Sequence, residues 1–133
     1  MVALDYGSAR CGVAVSDPTG VLATPLEPVP GPAGRRGMGR LVALARELGA
    51  ERVVVGLPLS LSGGDSQQTQ EARAFAARLA RQLGGIPVEL YDERFTTVLA
   101  RRDALAGGGS RASEDSRAAA HLLESWLQRS TRD

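Results

Sequence analysis

Three carboxylates in this sequence have the type and spacing to do chemistry together. Asp5 follows directly on the apolar "VAL" of residues 2–4. Glu93 follows the apolar run that ends in "LYD". Asp115 lies three and four residues before Ala118 and Ala119, so on a helix it shares their apolar face. An uncompensated buried carboxylate costs several kcal/mol, and three gathered together repel one another. Such a cluster calls for a bound cation or for protonation. Each acid also has a structural role open to it. Asp115 in a first helical turn favours the helix dipole, and Asp5 could hold a hairpin turn through its side chain. Glu93 could be a solvated strand end paired with Arg94 or Arg10.

The elements that must position these acids can be read from periodicity. "MVALDYGSARCGVAVSD" gives two short apolar runs around a turn at Gly7, a β-hairpin. "GVLATPLEPV" is a third strand that Pro25 and Pro28 confine to an edge or cut short. "PGPAGRRGMG" reads as a loop. Met38, Leu41, Val42, Ala45 and Leu48 then recur at helical spacing up to Gly49, a C-terminal cap. "RVVVGLPL" is apolar throughout, as a strand covered on both faces should be. Ala72, Phe75, Ala76, Leu79, Ala80 and Leu83 trace one face of a helix that stops at Gly84 and Gly85. "IPVELY" is a short strand, and "FTTVLARRDALA" a helix ended by Gly107, Gly108 and Gly109. A last helix carries Ala118, Ala119, Leu122, Leu123, Trp126 and Leu127. The order β-β-β-α-β-α-β-α-α predicts an α/β fold, a mixed sheet with helices packed on it.

Composition bounds the rest. At 133 residues and 43% hydrophobic, the chain fits one domain, residues 1–133, with one core. No apolar run approaches the roughly 18 residues that span a bilayer, and the N-terminus lacks the order of a secretion signal, so a cytoplasmic location and no membrane partner are expected. The lone Cys11 has no partner for a disulfide or a thiolate site and reads as a small core residue. The net charge of +1 says little about partners. Every basic residue is Arg, whose planar fork suits phosphate, although a biased genome composition explains this equally well.

The segments around the acids carry a resemblance. "DYGSARCGVAVSD", "VVVGLPLSLSG", "AFAARL", "YDERFTTVLA" and "DSRAAAHLLESWL" cover most of the chain and resemble, in order, the YqgF/RuvX family of bacterial ribonuclease H-like nucleases. The resemblance implies a ribonuclease H-like fold: a mixed five-stranded sheet, three antiparallel strands and then parallel ones, with helices on both faces. It implies a nuclease centre formed by Asp5 of "DYG", Glu93 of "DER" and Asp115 of "DSRAAA", the three acids already singled out. Hard oxygen ligands suit Mg²⁺ or Mn²⁺. Two such ions would serve an in-line phosphodiester displacement with no covalent nucleophile. His121, the only histidine, is then not needed as a base and is expected at the edge of the last helix.

Arg10 and Arg94 follow two of the acidic motifs and are the first candidates for substrate binding at phosphate; pairing with nearby carboxylates is equally open to them. "SLSGGDSQQTQ" could receive phosphate at a helix start or only cap that helix through Asp65 or Ser66. Thr96 and Thr97 read as caps. Cys11 departs from the branched aliphatic residue common in the family, and "GGGSRASED" is less basic than the family tends to be before Asp115. The expected partner is nucleic acid: precursor rRNA, whose 5′ end would be processed in ribosome biogenesis, or branched or single-stranded DNA. A Holliday junction resolvase would need two sites and hence a homodimer, whereas an rRNA nuclease could act as a monomer. A non-catalytic nucleic-acid-binding module and a relative of the actin-like ATPases are the alternatives from other classes. The latter has little room for an adenosine pocket in 133 residues.

Overall fold

The computed structural model describes residues 1–20, 22–58, 66–92 and 111–132, with the side chains of the last segment described from Ser116 to Arg129. The expected hairpin is present. β1 (Val2–Asp5) pairs antiparallel with β2 (Arg10–Ser16), from Val2 opposite Val15 to Asp5 opposite Gly12. The turn requires glycine at position 7, because a Cβ there would lie 2.8 Å from the Arg10 carbonyl oxygen. β3 (Ala23–Pro30) pairs antiparallel with β2 and forms the sheet edge. Its prolines at 25, 28 and 30 are tolerated there because an edge strand has N–H groups with no ladder partner to lose.

The chain then crosses the sheet. Between α1 (Arg35–Glu47) and α2 (Gln67–Leu83), β4 (Val53–Leu57) pairs parallel with β1. After α2, β5 (Val88–Asp92) pairs parallel with β4. The order is β3-β2-β1-β4-β5, the mixed five-stranded sheet expected. The strand begins at Val88 rather than at Ile86; Pro87 has no N–H to give and contributes its carbonyl, which accepts from Val53 at 2.9 Å. α3 (Arg111–Arg132) is the last helix. The helix expected over "FTTVLARRDALA" lies outside the described residues, as do its caps Thr96 and Thr97.

Alternation sorts the strands onto two faces. Val2, Leu4, Tyr6, Val53, Val55 and Leu57 pack with α1 and α2 on one side. Ala3, Ala14 and Val54 pack with Ala119, Ala120, Leu122, Leu123 and Leu127 of α3 on the other. Helices therefore cover both faces, and β4 is buried along its whole length. Cys11 is fully buried in the first cluster, as a core residue should be. Among the described residues no helix is long and apolar enough to cross a membrane.

Three expectations are corrected in detail. Residues 30–39 are not all loop, since α1 begins at Arg35. Gly37 is there for packing: a Cβ would fall 2.0 Å from the Gly31 carbonyl oxygen. Ala80 and Ala118 are only half-buried, and Thr69 and Ser116 take buried places on the same helices instead. The C-terminus of α1 does end as expected. Gly49 has φ 64°, its N–H reaches the Arg46 carbonyl at 3.1 Å, and the Ala50 N–H reaches that of Ala45 at 3.0 Å, a Schellman arrangement. The close approach at Gly37 predicts that Gly37→Ala lowers stability by about 3 kcal/mol, the upper range for overpacking, because backbone must move. Urea unfolding checks it as a lower midpoint at unchanged slope.

Candidate active site

Asp5 is the last residue of the central strand, half-buried, and in the odd-numbered series with Ala3, which faces α3. Its partner on β2 is Gly12. The parallel register that sets Leu4 beside Val55 places Asp5, one residue on, beside Gly56 of β4. The carboxylate is thus bordered on both neighbouring strands by residues without side chains.

The strand ends align across the sheet. Gly56 pairs with Tyr91 and Leu57 with Asp92, so β5 ends two strands from Asp5, about 10 Å at ordinary strand spacing. Glu93 is the next residue in sequence; it and Arg94 lie outside the described residues. Arg10 opens β2 opposite Pro30, half-buried, at this same end of the sheet.

Asp115 belongs to α3, and its carboxylate lies outside the described side chains. Its neighbour Ser116 fixes the backbone here. Ser116 is 2% exposed. Its hydroxyl donates to the Leu26 carbonyl, and its oxygen lies 3.5 Å from the Val13 N–H. The contact falls where the β2–β3 register shifts between Cys11 and Val13, next to Pro28, which offers no N–H to the ladder. Val13 adjoins Gly12, the partner of Asp5. The helix bearing Asp115 is therefore pinned beside the strand pair that carries Asp5. Sequence reasoning missed Ser116, although its spacing of three, four and seven residues from Ala119, Ala120 and Leu123 marks the buried face.

Farther along α3 the attachment is polar. The Trp126 Nε1–H donates to Glu89 at 3.2 Å, Arg52 pairs with Glu89 at 3.1 Å and lies 5.4 Å over the indole, and the Tyr91 and Ser125 hydroxyls are 2.7 Å apart. His121 is on the flank of α3, 3.8 Å from Glu124, in keeping with the structural place expected for it. Of the two candidate caps on α2, Ser66 serves: its Oγ accepts from the Thr69 N–H and Thr69 Oγ1 accepts from the Ser66 N–H, each at 3.2 Å. The preceding residues 59–65, including Asp65, lie outside the described residues.

Tyr6 lies beneath the site, on the opposite face from Asp5, its ring 4.8 Å from that of Phe75. Burial first, and the Glu71 carboxylate second, push its phenol above the ordinary tyrosine value. A folded-state value above the unfolded one makes a contribution that is complete below pH about 10 and is lost as pH rises through the folded value. Melting temperatures of wild type and Tyr6→Phe between pH 8 and 11 should show a shallower alkaline decline for the variant.

Among the described residues no three His, Cys, Asp or Glu side chains gather to hold a metal ion. Of the three candidate acids, Asp5 is the one whose side chain is described, and it offers carboxylate oxygens at this end of the sheet. Cys11 is buried on the other face, and His121 sits beside Glu124. Carboxylate oxygens are hard donors, the type that suits Mg²⁺ or Mn²⁺ rather than a soft metal.

The chain is similar to known proteins over most of its length. A protein from Rhodococcus erythropolis named "Putative pre-16S rRNA nuclease" is 44% identical over 140 residues, covering 98% of this chain and 78% of its own. Proteins of the same name from Mycobacterium tuberculosis H37Rv and Thermobifida fusca are 46% and 45% identical, covering 93% and 92% of this chain and 75% and 82% of theirs. Among solved structures, Thermus thermophilus RuvC in complex with Holliday junction substrate superposes with TM-score 0.60 at 19% identity, over 98% of this chain and 97% of that one. RuvC solved separately gives 0.56 at 18% identity, over 99% and 97%. These likenesses establish the ribonuclease H-like fold. The family model described as "RuvX: Holliday junction resolvase" matches residues 1–129, and the chain belongs to the RuvX (YqgF) family.

Proposed function

We propose that this chain is a divalent-metal-dependent nuclease that hydrolyses phosphodiester bonds at the 5′ end of precursor 16S rRNA. The observation that carries the reading is the Ser116 contact, which holds the helix of Asp115 against the strand pair of Asp5. The names of the relatives supply the substrate. Asp5, Glu93 and Asp115 are the residues that would hold Mg²⁺ or Mn²⁺. When bound, the metal supplies Lewis-acid polarisation of the phosphodiester and of the attacking water. The protein's own part is positional. Asp5 is fixed at the end of a strand paired on both sides, and the glycines beside it leave room for a phosphate. Arg10 and Arg94 neutralise phosphate oxygens and orient the bond to be cut.

A second reading is favoured by the family description itself: a resolvase of branched DNA. It requires two sites on one symmetric substrate and hence a homodimer. End-labelled precursor rRNA, single-stranded DNA and a four-way junction, each with Mg²⁺, Mn²⁺ or chelator, decide between the readings. The proposal expects metal-dependent cutting with the precursor RNA preferred. Preference for the junction, together with a dimer mass in sedimentation, transfers the reading to the resolvase. Binding without cutting under every condition would leave a non-catalytic binding module.

A further inference from the structure

The exposed side of α1 has a composition that packing among the described residues does not explain. Arg35, Arg36 and Arg40 are all exposed, and among the described residues no carboxylate pairs with any of them. Arg36 and Arg40 are one turn apart, where like charges oppose the helix. Gly39 is also exposed, inside the helix, and no atom lies within 4 Å of the position its Cβ would occupy. Glycine in a helix interior costs about 1 kcal/mol relative to alanine. At Gly37 a close backbone approach accounts for that cost; at Gly39 nothing among the described residues does.

The four residues share one surface. At 3.6 residues per turn, Gly39 falls between Arg35 on one side and Arg36 and Arg40 on the other. The buried residues Gly37, Met38, Leu41, Val42 and Ala45 occupy the opposite side. The result is a bare strip of backbone edged by guanidinium groups. Glu27 borders the same groove as Arg40, and Glu47 lies two turns on along the helix.

The strip begins at the end of the sheet where the candidate site lies. Pro30 pairs with Arg10, the Gly31 N–H donates to the Ala9 carbonyl at 3.0 Å, and the helix starts four residues later. Arg78 of α2 donates to the Ala33 carbonyl at 2.8 Å and steadies the intervening loop.

We infer that this face of α1 is a second nucleic-acid contact, in which Arg35, Arg36 and Arg40 grip backbone phosphates and Gly39 lets the strand approach closely. The inference rests on the nuclease reading for its partner. Its chemistry is sugar-phosphate backbone and carries no base specificity. α1 packs on the sheet face opposite Asp5, so a strand that reaches this surface from Asp5 must pass Arg10 and round the sheet edge at Pro30.

The test is the salt dependence of binding of fluorescently labelled single-stranded RNA and of a four-way DNA junction to the full chain. Each phosphate that is no longer neutralised lowers the slope of log K against log salt by about 0.7 to 0.9. Substituting Arg35→Gln, Arg36→Gln and Arg40→Gln together should therefore lower it by about 2 to 3, on whichever nucleic acid binds. Arg81→Gln, exposed on α2, should leave it in place. Gly39→Ala separates fold from function: it should raise the melting temperature and weaken binding severalfold. If the triple variant keeps the wild-type slope, or Gly39→Ala stabilises without weakening binding, the inference is overturned while wild-type cleavage keeps the nuclease reading. A fall with Arg81→Gln as large as that with each α1 arginine overturns it too, as an effect of net charge. Wild type that neither binds nor cuts removes both.

Discussion

Asp5→Asn is expected to abolish cleavage while the chain stays folded. The substitution keeps the size and planarity of the side chain, removes its charge and turns one accepting oxygen into a donating NH₂. If Asp5 is one of the groups that hold the metal, about 4 kcal/mol of transition-state stabilisation goes with it, about a thousand-fold in rate. Glu93→Gln and Asp115→Asn should cost as much. A shared site makes a further prediction: groups that work as a unit are strongly non-additive, so Asp5→Asn combined with Asp115→Asn should be scarcely worse than either alone. Single-turnover cleavage with excess enzyme measures this, with binding followed separately by fluorescence anisotropy. Multiplying losses would mean that the two acids act independently, and full activity in Asp5→Asn would end the metal-nuclease reading.

The second large effect concerns a residue that touches no substrate. Ser116→Ala removes the donor to the Leu26 carbonyl and the weaker acceptor for the Val13 N–H, in a place that is 2% exposed. An orphaned buried polar group costs about 1–3 kcal/mol, so the variant should lose about 2 kcal/mol of stability. It should also cut more slowly at saturating substrate, because the first turns of α3 lose their anchor to the strands beside Asp5. Ser116→Thr, which keeps the hydroxyl, should restore the rate more fully than the stability, since its extra methyl must enter a filled core. Urea unfolding and turnover measured on the same preparations separate the two effects. A Ser116→Ala protein that is as stable and as active as wild type would show that α3 is held by its apolar face alone.

The strands were legible because their physics is local. Period-two alternation and the hairpin glycine gave β1 and β2, unbroken β-branched residues gave β4, and prolines gave the edge position of β3. Asp5 was legible for the same reason, as a charge ending an apolar run. What escaped was decided by partners remote in sequence. Gly37 and Gly39 read as loop because glycine is a poor helix former; that Gly37 is helical depends on the Gly31 carbonyl, six residues back. The buried face of α3 is turned from the expected one, with Ser116 and Ala120 inside, because the bulge at Pro28 offers a hydroxyl its hydrogen bonds. Trp126, expected with the core, stays half-buried because Glu89 and Arg52 give its ring polar partners at the surface. Glu93 and Arg94, named from sequence, lie outside the described residues.

The prolines of β3 also govern how this molecule meets its own kind. An edge strand recruits neighbours by presenting a continuous comb of donors and acceptors, the route to runaway sheet extension and fibrous aggregates. Three of the eight β3 residues lack a donor, so that comb has missing teeth at 25, 28 and 30. Continuing the sheet in register across this rim would forgo a hydrogen bond at each of these positions, which disfavours self-association by strand pairing at β3. Substituting Thr for Pro25 and Pro28 would mend part of the comb, and light scattering of concentrated samples should then rise with time where wild type stays clear.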